Sequence, residues 1–380
     1  MKLYYIANVR IPTEKAYGVN IAQMCYSFAK NGVDVSLIVP QRKNSIEEDI
    51  FNFYNVDKNF SIHYIPIVDW VGKGFYGYWI SQISFSFKLL FSKFKRSESI
   101  IYTRDEWSAW LLSLFGHSIF YEMQGFPVKW RWVWYHSMKC MKGIVCANQW
   151  KIEQCNKIFG IPLEKLILAR NGFDERAFDV KLTKNDAREK INLPVEKNIV
   201  VYAGHLYDWK GVDTVVAAAK LTPEFLFVLV GGDKNEIGIF KNKHVLSNNT
   251  VIAGQRPHKE IPIYLQAADI LLLPNSSYSA NSRFAGYSTF DTSPIKLFEY
   301  LASGRPIIAS DLPAIREVLN EKNACLLPPD DSVLLAQTIK DFLKNQEMYN
   351  LLAKRGLEDV KEFTWEKRAK KIIEFIKKLS

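Results

Sequence analysis

Cysteine is scarce in this chain and never falls in a spacing that would make it a ligand or a staple. The five cysteines stand at positions 25, 140, 146, 155 and 325, with no CxxC pair and no histidine cluster beside them. That pattern argues against a disulfide framework and against a metal site, and leaves reduced, mostly buried thiols. Long apolar runs are also missing: no stretch reaches the roughly 20 residues that a bilayer span needs. The opening MKLYYIANVR reads as a strand followed by a charge, without a cleavable leader, so the expected location is the cytoplasm. No repeat of roughly 20–50 residues recurs, which excludes a solenoid. Acidic residues are in deficit, 40 against 50 lysines and arginines, for a formal charge of +10. The excess is spread over both halves, 22 basic against 16 acidic residues up to position 180 and 28 against 24 beyond it. A basic balance of this kind suits anionic partners.

What the chain does have is a regular β-α alternation. Apolar runs that read as strands fall at 3–9, 33–40, 62–67, 100–103, 119–123, 144–147 and 166–169, with helical stretches between them, 19–30 being the first. A polar segment, 179–197, is the expected hinge and separates this series from a second, with strands at 199–203, 225–230, 251–253, 270–274, 306–309 and 324–327. Such alternation predicts an α/β protein with two doubly wound parallel sheets. At roughly 150 residues per domain, 380 residues suit this count. The expected domains are 1–180, 198–360 and a basic helix over 361–380 that packs back on the first.

The most informative stretch is Asp291 to Ser310, DTSPIKLFEYLASGRPIIAS. Ser293 is the expected N-cap, Pro294 fits the first helical turn, Gly304 fits the C-terminal cap, and a buried strand follows. A helix start fed by a long polar loop attracts phosphate through unpaired N–H groups, here in the segment Ser293, Pro294 and Ile295, where Ser293 and Ile295 carry the N–H groups and Pro294 presets the turn. Asp291 before it and Glu299 within it place a carboxylate on either side.

These motifs resemble glycosyltransferase family 4. The resemblance is carried by YAGHLYDWKG at 202–211, AADILLLP at 267–274 and SPIKLFEYLASGRPIIASDLPAIREVL at 293–319, with further matches at EKAYGVN, IIYTRD, IFYEMQGFP and RNGFDERAF upstream. It implies the GT-B fold, two facing Rossmann-like doubly wound domains with a C-terminal helix crossing back to the first. The first domain would bind acceptor and the second the donor. It further implies retaining transfer of a sugar from a nucleotide diphosphate sugar, with no cofactor and no essential metal. UDP- or GDP-sugars are the expected donors, and a glycan or lipid-linked glycan in surface polysaccharide assembly the expected acceptor. Nucleic acid is not an expected partner.

Residue by residue, the family's pair of acids separated by seven residues corresponds to Asp291 and Glu299. Glu299 would accept hydrogen bonds from the ribose hydroxyls, and Asp291 would contact the donor sugar. Lys210 matches the phosphate lysine. The family's arginine is replaced by His205, whose imidazole carries only part of a charge near neutral pH. Gly18 would allow close approach of the phosphate, and Arg256 would pass near the nucleobase. On the acceptor side the histidine frequent in relatives is replaced by Gln124, which cannot act as a general base. Arg104, Asp105 and Glu122 are the remaining polar candidates there. Two alternatives stay open, a GT-B nucleotide-sugar epimerase and a catalytically silent nucleotide-sugar or glycan binder.

Two runs, 70–96 and 127–142, combine many aromatic residues with lysines and arginines and lack acids before their ends. They are the expected contact with an anionic membrane surface, which would make the protein peripheral on the inner face of the cell membrane.

Overall fold

The computed structural model describes residues 1–92, 99–127, 131–179, 182–278 and 286–380. Parts of the two aromatic and basic runs, 93–96 and 128–130, lie outside the described residues, as do 279–285 of the loop before Asp291.

The chain forms two compact units, Met1–Asn171 with Trp365–Ser380, and Gly172–Thr364. In the first, β1 (Lys2–Ile6), β2 (Asp34–Gln41), β3 (Ser61–Pro66), β4 (Ser99–Thr103), β5 (Ile119–Met123), β6 (Gly143–Cys146) and β7 (Leu166–Leu168) form one sheet. Their order is β3-β2-β1-β4-β5-β6-β7, and every pairing is parallel. In the second, β8 (Asn198–Ala203), β9 (Phe225–Val230), β10 (Thr250–Gly254), β11 (Ile270–Leu273), β12 (Ile307–Ser310) and β13 (Cys325–Leu327) follow the order β10-β9-β8-β11-β12-β13, again all parallel. The central strands are apolar at nearly every position because helices cover both faces; FLFVLV in β9 and ILLL in β11 are buried throughout.

Three boundaries differ from the expectation. β1 ends at Ile6, not Val9, because Asn8 is drawn into side-chain bonds with Gln82 (2.7 Å) and Arg42 (2.7 Å). The helix after it begins at Ala16, ahead of Gly18. The polar segment 179–197 is not a free-standing hinge between the units. Phe173 already belongs to the second core, its N–H donating to the Phe363 carbonyl at 3.0 Å. The Lys184–Lys190 helix is anchored there by buried Arg188, which donates to Asp269 and to the Ala267 carbonyl, while Asp269 also accepts the Ile199 N–H at 2.7 Å. A charged residue near the surface in sequence is thereby the bolt that holds this segment to β8.

The terminal helix, Trp365–Leu379, returns to the first unit. Its apolar face packs inward through Trp365, Ile372, Ile373 and Ile376, and the Phe375 ring meets Phe120 edge-on at 6.0 Å. It also supplies a charge to the core. Arg368 Nη2 donates to Glu122 Oε1 at 3.0 Å, and Tyr102 donates to Glu122 Oε2 at 2.6 Å. Burial alone would raise the Glu122 pKa, but Arg368 and then Arg104 outweigh it and hold the carboxyl at about 2. Its folded value lies below the ordinary 4.5, so the pair stabilises the fold above that pH and the contribution is lost as pH falls through about 2.

Among the described residues no helix is long and apolar enough to cross a membrane. Replacing one member of the buried pair strands the other: Arg368→Met is expected to cost about 3–5 kcal/mol. Urea unfolding of the full chain checks this, and the deficit relative to wild type should shrink in strongly acidic buffer as Glu122 takes up a proton.

Candidate active site

In the second unit the chain leaves β8 and β11, adjacent strands, toward opposite edges of the sheet. Such a switch point opens a crevice at the carboxyl ends of the strands, where α/β sheets bind ligands. The loops that bound it touch. Gly211 has φ +71, and a Cβ there would lie 1.7 Å from the Pro274 carbonyl oxygen, so only glycine lets the β8 loop pass the β11 loop. Ser276 N–H then donates to the Trp209 carbonyl at 3.1 Å, and the same carbonyl accepts from the Ser288 hydroxyl at 3.3 Å. The Tyr287 ring stands edge-on to Trp209 at 5.2 Å. These contacts seat a five-residue π-helical turn, Tyr287–Asp291, beside the β8 loop, with Asp291 buried at its end.

The helix that follows is Ile295–Ala302. Its N-cap is Pro294, not Ser293, because Pro294 keeps an extended ψ of 129° and helical geometry starts only at Ile295; no side chain caps this end. Gly304, with φ +63, receives the far end, its N–H donating to the Leu301 carbonyl at 3.1 Å. The helix is tied to β8 through Tyr300, whose hydroxyl accepts the Ala203 N–H at 2.8 Å.

Lys296 is the second residue of this helix. Its amine is buried without a hydrogen-bond partner among the described residues and sits 4.2 Å from the centre of the Tyr202 ring, beside Gly204. Burial drives its pKa well below the usual lysine value, and the positive charge of Lys210 lowers it further. Lys210, in the turn Asp208–Lys210, lies over the Trp209 ring at 3.9 Å, and burial of its head lowers its pKa to about 7. When protonated the two lysines repel each other across a crevice in which no described residue gives the Lys296 amine an acid contact. Cation–π contacts of this kind are worth only about 0.5–2 kcal/mol, too little to offset the dehydration of an ammonium.

Glu299 is buried one helical turn further along, where His258 Nε2 lies 2.7 Å from its Oε1. Burial pulls the His258 pKa down, yet the charge and hydrogen bond of Glu299 outweigh it and raise the net value. The imidazolium fixes the carboxylate, which with about four lone-pair sites keeps room to accept two hydroxyls. His205 is differently engaged. Its Nδ1 lies 2.9 Å from Glu236 Oε1, and its ring stacks on Tyr207 at 4.9 Å and 3°. Arg256 is exposed in the loop after β10, over the Tyr264 ring at 5.8 Å.

In the first unit, Arg104 is the centre of a polar chain at the end of β4. It donates to Asn20 (3.0 Å), to the Tyr17 carbonyl and to Gln124 Oε1, and Gln124 Nε2 donates to Glu122 Oε1 at 3.0 Å. Glu122 is fully buried and saturated by Arg368, Tyr102 and Gln124, so it orients Gln124 and offers no face to an acceptor. Asp105 caps the Glu106–Leu114 helix by accepting the Ser108 N–H at 2.8 Å, and also accepts from Gln82 at 2.8 Å. Gly18 is the third residue of its helix, and a Cβ there would fall 2.1 Å from the Tyr54 hydroxyl. That packing accounts for the glycine: Tyr54 occupies the space beside it and donates to the Thr13 carbonyl at 2.8 Å.

Residues 183–359 match the family model described as Glycosyl transferases group 1. The match spans most of the second unit, Gly172–Thr364. The chain is 26% identical over 184 residues to the amylovoran biosynthesis glycosyltransferase AmsK of Erwinia amylovora, covering 47% of this chain and 42% of that protein. It is 23% identical over 213 residues to the D-inositol 3-phosphate glycosyltransferase of Corynebacterium urealyticum, covering 52% and 47%. The match thus spans less than half the length of these curated relatives. Among solved structures, the sucrose-phosphate synthase of Thermosynechococcus elongatus superposes with a TM-score of 0.76 at 18% identity, covering 100% of this chain and 99% of that one. Anabaena HepE in complex with UDP gives 0.75 at 14%, covering 100% of both. With two Rossmann-like sheets and these neighbours, the architecture is the GT-B fold.

Within the matched residues, sequence reasoning named Lys210, Asp291 and Glu299 as candidates and did not name Lys296 or His258. Lys296 had a local signal, a lysine two residues after Pro294 at a helix start. His258 had none, since its partner is 41 residues away.

The uncompensated lysines make a prediction for the free chain. Their folded pKa values lie below the ordinary 10.5, so the charged forms destabilise, and stability from these groups rises as pH climbs from about 7 toward 10.5. Lys296→Met is expected to raise the melting temperature at pH 7 and to flatten this rise; differential scanning calorimetry across that range measures both.

Proposed function

We propose that the protein transfers a sugar from a nucleotide diphosphate sugar to a glycan or lipid-linked glycan, with retention at the anomeric carbon and without an essential metal, in surface polysaccharide assembly. The observation that carries this reading is the buried, partnerless Lys296 ammonium facing Lys210 at the switch point. A crevice that concentrates positive charge away from water is complementary to a diphosphate, and more so to the charge that develops as the diphosphate leaves. His205 is held by Glu236, so Lys296 and Lys210 take over the role that the family's arginine would fill. Glu299, oriented by His258, accepts the ribose hydroxyls, and Asp291 contacts the donor sugar. HepE structures holding UDP and UDP-glucose support a uridine donor, with a GDP-sugar as the other choice. The names of relatives in amylovoran and teichuronic acid biosynthesis support a polysaccharide product.

The chemistry follows from what the side chains lack. Gln124 is bonded to Arg104 and Glu122 and has no proton-accepting base to offer. The acceptor hydroxyl therefore passes its proton to the departing phosphate oxygen as its own oxygen bonds to the anomeric carbon on the same face. The C–O bond to the diphosphate breaks in that step, and the lysines hold the charge released.

The reading is tested with nucleotide binding and turnover together. UDP at about 100 times its Kd should stabilise the chain by about 2.7 kcal/mol in a thermal-shift assay. Glu299→Ala and Lys296→Met are expected to abolish that shift, whereas Gln124→Ala keeps it and slows transfer. Slow release of UDP from UDP-sugar without acceptor is expected; epimer interconversion instead would favour an epimerase. An unchanged shift in Glu299→Ala would mean that the donor lies elsewhere.

A further inference from the structure

The helix Gly74–Leu90 in the first unit is turned inside out for a protein in water. The face it buries is small and polar: Gly77, Ser81, Gln82 and Ser86 point inward beside Phe85 and Leu89. Each polar group there has a partner. Ser81 donates to the Gly77 carbonyl (2.9 Å) and accepts the Trp70 N–H (2.7 Å), Gln82 bonds Asn8 and Asp105, and Ser86 pairs with Ser108 at 3.3 Å. The face it exposes is large and apolar. Tyr76, Ile80, Ile83, Phe87 and Phe91 are 80%, 38%, 62%, 56% and 73% exposed. At 100° per residue these five lie within an arc of about 80°, along about 22 Å of helix. Phe87 and Phe91 touch each other edge-on at 5.2 Å, so the stripe is continuous at that end.

Single exposed apolar side chains need no explanation, but an ordered row of them marks a surface that meets something apolar. The charges beside this row say what. From Trp70 to Ser92 there is no aspartate or glutamate, and the charged residues are Lys73 and Lys88. Both lysines are exposed, Lys73 over the Trp70 ring at 4.9 Å and Lys88 donating to the Pro66 carbonyl at 2.5 Å. The helix is 17 residues long, and no described helix can cross a bilayer, so this one lies along a surface. We propose that the exposed face of Gly74–Leu90 and Phe91 docks on an anionic phospholipid bilayer, inserting Ile83, Phe87 and Phe91 at the headgroup boundary. Lys73 and Lys88 face the lipid phosphates. The inference stands on this surface alone and does not depend on the donor chemistry.

Flotation of the full chain with phosphatidylcholine–phosphatidylglycerol vesicles at low salt tests it, with light scattering of the free protein run in parallel. Wild type should float with these vesicles and poorly with phosphatidylcholine alone. Ile83→Glu and Phe87→Glu, both at exposed positions, should each weaken partitioning about tenfold or more while leaving the melting temperature unchanged. Lys73→Glu should weaken it selectively on the anionic vesicles. Absence of wild-type flotation, or flotation unchanged in the glutamate variants, would overturn the proposal. So would a concentration-dependent dimer that these variants dissolve, which would assign the face to a second copy of the chain.

Discussion

The arrangement of the second unit turns on two lysine amines buried at one crevice. Lys296 is fixed by where its helix begins, and that start is fixed in turn by the extended Pro294. Lys210 is fixed by Gly211, the residue that lets the β8 and β11 loops touch. Protonating both amines in the ligand-free chain therefore costs desolvation and mutual repulsion, and a dianionic group offsets both. Stability given up in the free state is the reserve from which anion binding draws. Glu299 and His258 next to it form the opposite kind of element, a satisfied pair that presents a carboxylate in one orientation.

The first unit shows the same division between held and available groups. Glu122 is a core ion in a pair with Arg368, brought by a helix 246 residues further along the chain. Through Gln124 and Arg104 this pair reaches the end of β4. The C-terminal helix thus contributes to the polar edge of the first unit as well as to its packing. Away from that edge, the Gly74–Leu90 helix turns Ser81, Gln82 and Ser86 to the interior and Tyr76, Ile83 and Phe87 to the exterior.

Much of this was legible in the sequence, because strands buried on both faces read as apolar runs and their alternation with helices is a short-range pattern. The parallel sheets, the returning helix and the location of Asp291 and Glu299 follow from such patterns. The misses share a physical cause, which is partnership across long separations. Gly18 resembled a ligand-facing glycine, but it is explained by Tyr54, 36 positions later, whose ring needs the room. Glu122 resembled an acceptor contact until Arg368 was placed against it. The polar run 179–197 looked like a hinge, since nothing local says that Arg188 reaches Asp269. Lys296 was passed over for another reason: beside two acids and a helix start, a lysine at the second helical position looks like solvent-facing charge unless its ammonium is known to be buried.

The crevice holds its amines short of protons until a diphosphate arrives. Isothermal titration of UDP into the chain at pH 8, in buffers of differing ionisation enthalpy, tests it directly. Lys210 titrates at about 7 in the free state, so most of it is neutral at pH 8. Binding should then draw in about one proton or more, seen as a binding enthalpy that changes with buffer, and Lys210→Met should reduce that dependence. A buffer-independent enthalpy with UDP bound, or proton release, would contradict the account.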